Sequence, residues 1–231
     1  MTRLHHLLAI TALVLTSTAA SALDRRPGVQ ALVSEGRTIE VYVPPKLAAR
    51  PPAVVAFHWS TARGKNMLAH WKSVADAEGV LLVLPSSKQR RQWTKGDGQA
   101  LDRVLGRVFS DFKVDRDRVY VTGFSGGASM AYRYFLTHPG VFSGLAPYAG
   151  RLTVKDGELE AVQGRPARAC LVHGRRDRKI PYRESVRAAR TLESVGIKAS
   201  LRTLQTGHWP EKDHAAPAWR CLDGKSLPGQ S

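Results

Sequence analysis

The sequence predicts an α/β fold: a mostly parallel sheet with helices on both faces. Three observations lead there. Apolar, β-branched runs of strand length recur along the chain, as at 53–58 and 80–84. Between most of them lie stretches long enough for a crossover, with apolar residues at helical spacing. The runs are continuously apolar, as expected of strands buried on both faces, and alternation with helices makes such strands parallel.

Element by element, residues 29–34 and 37–43 read as a hairpin turned around Glu35-Gly36 and stopped by Pro44-Pro45. Ala53 to His58 forms the first buried strand. A helix over about 67–78 follows, with Leu68, Trp71, Val74 and Ala75 on one face. Val80 to Leu84 is the next strand, ended by Pro85. A loop from Ser86 to Gly98 carries Arg90, Arg91 and Trp93. A helix over about 99–112 presents Leu101, Val104, Leu105, Val108 and Phe109. Then come a strand ending near Gly123, a helix at 128–138 and strands at 143–148 and 168–173. A helix at about 183–195 and a strand at 199–204 complete the series.

The 231 residues, 43% hydrophobic, suffice for one domain with a substantial core. Residues 1–22 read as a signal peptide: Arg3 precedes an apolar stretch at 7–15, and Ala20-Ser21-Ala22 is a small-residue cleavage site. The apolar stretch is too short and too rich in Ser and Thr for a membrane span. The expectation is an exported chain, periplasmic or extracellular, with a single domain over 23–231 and no transmembrane anchor. Cys170 and Cys221 are the two cysteines, and an even count in an oxidising compartment favours a disulfide between them. The net charge is +16; residues 1–22 contain only Arg3 among charged side chains, so +15 remains without them. That balance suits contact with anionic surfaces, but the cations are scattered and no nucleic-acid motif accompanies them, so solvated surface accounts for most of them.

The most informative stretch is Gly123-Phe124-Ser125-Gly126-Gly127, between a strand and a helix. This G-x-S-x-G pattern in that setting is a nucleophile elbow: a strained turn lifts the serine hydroxyl above the sheet edge at a helix N-terminus. Side chains at 123 or 127 would collide with the neighbouring strand and helix. Serine needs a base to take its proton and an acid to orient the base, in the chain order Ser, acid, His. Asp177 follows the strand ending at His173-Gly174, and His208 follows the last strand through Thr206-Gly207. Glu184 and Asp156 are rival acids, and His173 and His214 rival bases, but none follows a strand end as directly. His138, before a proline at a helix end, reads as a cap or surface residue. Two N–H groups must receive the oxyanion: that of Gly126, and that of Trp59 or Ser60 after the 53–58 strand. His58 is expected to shape that loop. The histidines lack metal-ligand spacing, and neither metal nor cofactor is implied.

These residues resemble the α/β-hydrolase esterases grouped as secreted polyhydroxybutyrate depolymerases and feruloyl or acetylxylan esterases. The resemblance runs from about residue 40 to 210. It is carried by Val55 to His58, Val114 to Gly127, His138-Pro139-Gly140-Val141-Phe142, His173-Gly174 with Asp177 and Pro181-Tyr182, and Gly207-His208-Trp209-Pro210. It implies an α/β-hydrolase fold and ester hydrolysis through an acyl-enzyme, with Ser125, Asp177 and His208 as triad. The group usually has glycine where this chain has Trp59, and the cations around Asp177 are unusual for it. No insertion is long enough for a large lid, which suits an open site and a polymeric ester. Trp59, Trp93 and Trp209 fall on loops at the active edge, where they could stack on a sugar or phenolic ring. A serine peptidase of the same fold and a non-catalytic binder of anionic polymers are the alternatives.

Overall fold

The computed structural model describes residues 23–210 and 214–224; the segment read as a signal peptide lies outside them. Among the described residues eight strands form one sheet: β1 (Gly28–Ser34), β2 (Arg37–Val43), β3 (Ala53–Phe57), β4 (Leu81–Pro85), β5 (Val119–Phe124), β6 (Gly144–Tyr148), β7 (Arg168–Gly174) and β8 (Lys198–Leu204). Their spatial order is β1-β2-β4-β3-β5-β6-β7-β8. The β1–β2 and β2–β4 pairs are antiparallel, and from β4 to β8 every pair is parallel.

Among the described residues five helices cover the sheet: α1 (Gly64–Glu78), α2 (Lys95–Asp111), α3 (Gly126–Thr137), α4 (Arg183–Glu193) and α5 (Ala215–Leu222). Because side chains along a strand alternate between faces, adjacent residues of β3 and β5 serve opposite cores. Val55 and Val121 pack with Leu101, Leu105, Phe135 and Leu192 of α2, α3 and α4. Val54 and Tyr120 pack with Trp71 of α1 and Trp219 of α5 on the other face. Burial on both faces explains the uninterrupted apolar strands.

Three helix starts differ from the sequence reading. α3 begins at Gly126, two residues early, directly after Ser125. α1 begins at Gly64, three residues early, because the chain there runs against β4: a Cβ on Gly64 would lie 2.1 Å from the Leu84 carbonyl oxygen. α2 begins at Lys95, inside the stretch read as loop. Its first turn holds two helix-disfavouring glycines, but Thr94 and Asp97 form a capping box that satisfies its free N–H groups. Asp97 does more than cap. Oδ2 accepts from the Thr94 N–H and hydroxyl at 2.7 Å, and Oδ1 accepts from Arg37 Nε at 2.6 Å and the Lys88 N–H at 2.9 Å. Burial pushes its pKa up, but these donors outweigh that and hold it below the ordinary aspartate range. The stabilisation is therefore complete above pH ~4 and is lost as pH falls through the lowered folded-state value. Asp97→Asn is expected to cost about 3 kcal/mol at neutral pH, leaving the Arg37 cation short of its partner. Urea midpoints of the two proteins should converge between pH 7 and pH ~3; a constant gap would contradict this.

Cys170 on β7 is bonded to Cys221 on α5, across 51 residues of sequence. The link ties the last helix to the sheet. Replacing both cysteines by serine is expected to remove about 4 kcal/mol, measured by denaturant unfolding.

Candidate active site

The carboxyl ends of β3, β5, β7 and β8 lie along one edge of the sheet, with β6 between β5 and β7, and their loops build the site. At the end of β5 the chain turns sharply into α3. Ser125 takes φ 56° and ψ −118°, a left-handed conformation that costs a non-glycine residue about 1–3 kcal/mol. The Ser125 N–H donates to the Tyr148 carbonyl at 2.9 Å, and its own carbonyl accepts from the Ser129 N–H at 3.1 Å. The flanking glycines allow the turn to close. A Cβ on Gly123 would lie 2.3 Å from the Gly127 carbonyl oxygen, and one on Gly127 would lie 2.1 Å from that of Phe57.

The loop after β7 brings in Asp177. Gly174 lies so close to the next loop that a Cβ there would be 2.1 Å from the Gly207 oxygen. The Arg175 and Arg176 N–H groups donate to the Leu204 and Thr206 carbonyls at 2.7 and 2.9 Å, so the two loops continue the sheet ladder. That seam sets His208 over Asp177. His208 Nδ1 lies 2.7 Å from Asp177 Oδ2, and His208 Nε2 lies 2.9 Å from Ser125 Oγ. With an ionised aspartate, Nδ1–H donates to the carboxylate, which leaves Nε2 to accept from the serine hydroxyl.

Asp177 makes no surface ion pair despite its cationic neighbours; its side chain is wholly buried. Its other oxygen accepts from the Lys179 and Ile180 N–H groups at 2.7 and 2.9 Å. Burial raises its pKa, but His208 and those two N–H groups outweigh it and keep the carboxyl below the usual range. Asp177 thus stays ionised through ordinary pH.

His173, weighed as a rival base, is fully buried on β7 and does not approach Ser125. Its Nε2 donates to the Ile180 carbonyl at 2.9 Å and lies 3.2 Å from Asp177 Oδ2, while Nδ1 accepts from the Ser185 hydroxyl at 2.6 Å. The aspartate therefore sits between two histidines, which sequence reasoning missed. The signal was the spacing of four between His173 and Asp177 across a tight turn. His214, the other rival, is buried at the start of α5. His138 caps α3 and contacts Asp102. Glu184 pairs with Arg187 at 2.8 Å.

Opposite His208, Gly126 opens α3, where a first-turn N–H has no intrahelical acceptor. A Cβ built on Gly126 would lie 3.0 Å from Ser60 Oγ and 3.8 Å from Ser60 N. Ser60 therefore borders Gly126, and among the described residues its N–H takes no backbone acceptor. His58 shapes this loop: Nδ1–H donates to the Trp59 carbonyl at 2.7 Å and Nε2 accepts from the Ser87 N–H at 3.1 Å. Burial lowers its pKa and keeps it neutral. Trp93 Nε1 donates to the His58 carbonyl at 2.9 Å, and its ring packs edge-on against Phe57. Trp59 fits between Phe124 and Trp209, with ring centres 5.6 and 5.9 Å away. Trp209 is the exposed member at 55%, with Lys179 Nζ 5.4 Å from its ring centre.

A parallel sheet of this order, with a serine on a strained strand-to-helix turn and a histidine and aspartate hydrogen-bonded behind it, defines an α/β hydrolase. The chain belongs to the phospholipase/carboxylesterase family, whose model matches residues 79–215, a span that includes Ser125, Asp177 and His208. It is similar to poly(3-hydroxyalkanoate) depolymerase C of Paucimonas lemoignei, 32% identical over 47% of this chain and 30% of that one. It is also similar to acetylxylan esterase A of Aspergillus ficuum, 27% identical over 63% of this chain and 55% of the relative. The chain thus spans little more than half the length of these curated relatives at most. Among solved structures, the acetyl xylan esterase of Aspergillus awamori shares the fold, with a TM-score of 0.70 at 16% identity, covering 85% of this chain and 99% of that one.

Proposed function

We propose that this protein is an exported serine esterase that hydrolyses carboxylic esters, of polyhydroxyalkanoate, feruloyl or acetyl-polysaccharide type, through an acyl-enzyme. The observation that carries the proposal is the unbroken hydrogen-bond chain from Ser125 Oγ through His208 to Asp177, at 2.9 and 2.7 Å. Ser125 Oγ attacks the ester carbonyl carbon as its proton passes to His208 Nε2, and Asp177 steadies the imidazolium. The carbonyl oxygen becomes an oxyanion received by the N–H groups of Gly126 and Ser60. Collapse breaks the bond to the alcohol oxygen, which leaves with the proton from His208. Water then adds to the acyl carbon, giving its proton to His208. The acid departs, and the proton returns to Ser125.

Of the two loop residues expected to supply the second donor, Ser60 is favoured by its contact with Gly126. Trp59 and Trp209 form the aromatic wall beside His208, suited to a planar or sugar-bearing alcohol. Export is supported by the signal-like residues 1–22 and by the Cys170–Cys221 disulfide. No helix among the described residues is long and apolar enough to cross a membrane.

The test is a panel of 4-nitrophenyl acetate, butyrate and ferulate beside matched peptide anilides. Turnover of esters well above anilides is expected; faster anilide cleavage would make the protein a peptidase. No turnover of either would remove the catalytic reading.

A further inference from the structure

We propose that the cavity on the Gly126 side of Ser125 receives the acyl half of the ester and selects acyl groups that end in a carboxylate. The proposal rests on the esterase reading above. The cavity encloses about 260 Å³ and is walled by Ser60, Trp93, Gly126 and three arginines, Arg91, Arg133 and Arg151. The arginines come from three separate segments: the β4–α2 loop, α3 and the turn after β6. No aspartate or glutamate lines the cavity, and among the described residues none of the three guanidinium groups has a carboxylate partner. Arg151 is fixed at its backbone, where its N–H donates to Ser129 Oγ at 2.9 Å.

The assignment to the acyl half follows from where the proton must go. The leaving alcohol oxygen takes its proton from His208 Nε2, so the alcohol lies on the side of His208 and Trp209. No residue of the loop 205–210 lines this cavity. The acyl chain, attached to the other side of the reacting carbon, therefore enters it.

The charge follows from the same lining. A single exposed arginine is worth little to a surface ion pair. Three around one concavity focus a positive potential within it, and a guanidinium binds a carboxylate through two parallel N–H bonds. The acid nearest the nucleophile, Asp177, is buried and committed to His208, so it does not offset that potential.

The experiment compares mono-4-nitrophenyl esters of six- to eight-carbon diacids with the same compounds capped as methyl esters at the far end. Wild-type enzyme is expected to favour the free acids by about tenfold in kcat/KM, and to lose that preference in roughly 1 M salt. The variant Arg91→Gln, Arg133→Gln, Arg151→Gln should bring the ratio near unity. A control, Lys46→Gln, Arg50→Gln, Lys113→Gln, removes equal charge at the amino ends of the strands and should keep the wild-type ratio. Equal rates on the two wild-type substrates, a preference for the methyl esters, or equal loss of preference in both variants would overturn the proposal. In each of those cases ester turnover persists and the esterase reading stands; cleavage of neither ester by wild-type protein would defeat both.

Discussion

Ser125→Ala is expected to lower kcat/KM on simple esters by about 10⁴-fold or more, with the fold retained. The magnitude follows from the loss of the atom that forms the covalent intermediate in the proposed mechanism. Residual turnover would come only from water activated by His208 and from the oxyanion donors, which the substitution leaves in place. Stability should change little, because Ser125 is only partly buried and its N–H and C=O bonds are backbone bonds that alanine keeps. His208→Ala should fall in the same range, since an unassisted serine hydroxyl is a poor nucleophile. The double variant should lose little beyond either single one, because groups that act as one unit are not additive. Turnover and thermal unfolding measured on the same preparations separate lost chemistry from lost structure. Near-full activity in either single variant would contradict the assigned roles.

Gly127→Ala is expected to be among the most damaging small substitutions in the fold. A methyl group there would sit 2.1 Å from the Phe57 oxygen and 2.5 Å from the His58 oxygen, both backbone atoms that cannot swing aside. Either α3 moves off β3 or the loop 58–60 shifts. The first opens the core and the second displaces Ser60, the proposed second oxyanion donor. Overpacking of this kind costs about 3 kcal/mol or more, a fall of roughly 10 °C in Tm for a domain this size. Gly106→Ala is the matched control: it lies in α2 with nothing within 4 Å of its Cβ position, and should stabilise by about 0.5–1 kcal/mol. Thermal unfolding of the two variants reads the difference directly, and equal Tm values would contradict the steric account.

The sheet was legible because strands buried on both faces write themselves as apolar runs; β3 through β7 fall within a residue or two of those runs. The elbow was legible because its G-x-S-x-G pattern falls between a strand and a helix; the approach of Gly123 to Gly127 is local in sequence, whereas Gly127 answers to Phe57 on β3. Helix starts were less so. The first turns of α1 and α2 are built around glycines whose purpose lies elsewhere, in the approach of Gly64 to β4 and the capping of α2 by Asp97. Asp177 and His208 could be placed by chain order and strand ends alone. The second histidine against Asp177 was missed, since His173 closes an apolar strand and its spacing of four from Asp177 brings the two together only across the tight turn. The arginine-lined cavity was equally hidden: Arg91, Arg133 and Arg151 are scattered in sequence, and only the fold gathers them.

The most direct test of the active-site assignment is reaction with diethyl 4-nitrophenyl phosphate, followed by peptide mass mapping. One diethylphosphoryl group per chain is expected on Ser125, with stoichiometric 4-nitrophenol release, parallel loss of ester hydrolysis and much slower labelling in His208→Ala. Folded protein that stays unlabelled, or carries the group on another residue while ester hydrolysis is lost, would contradict it.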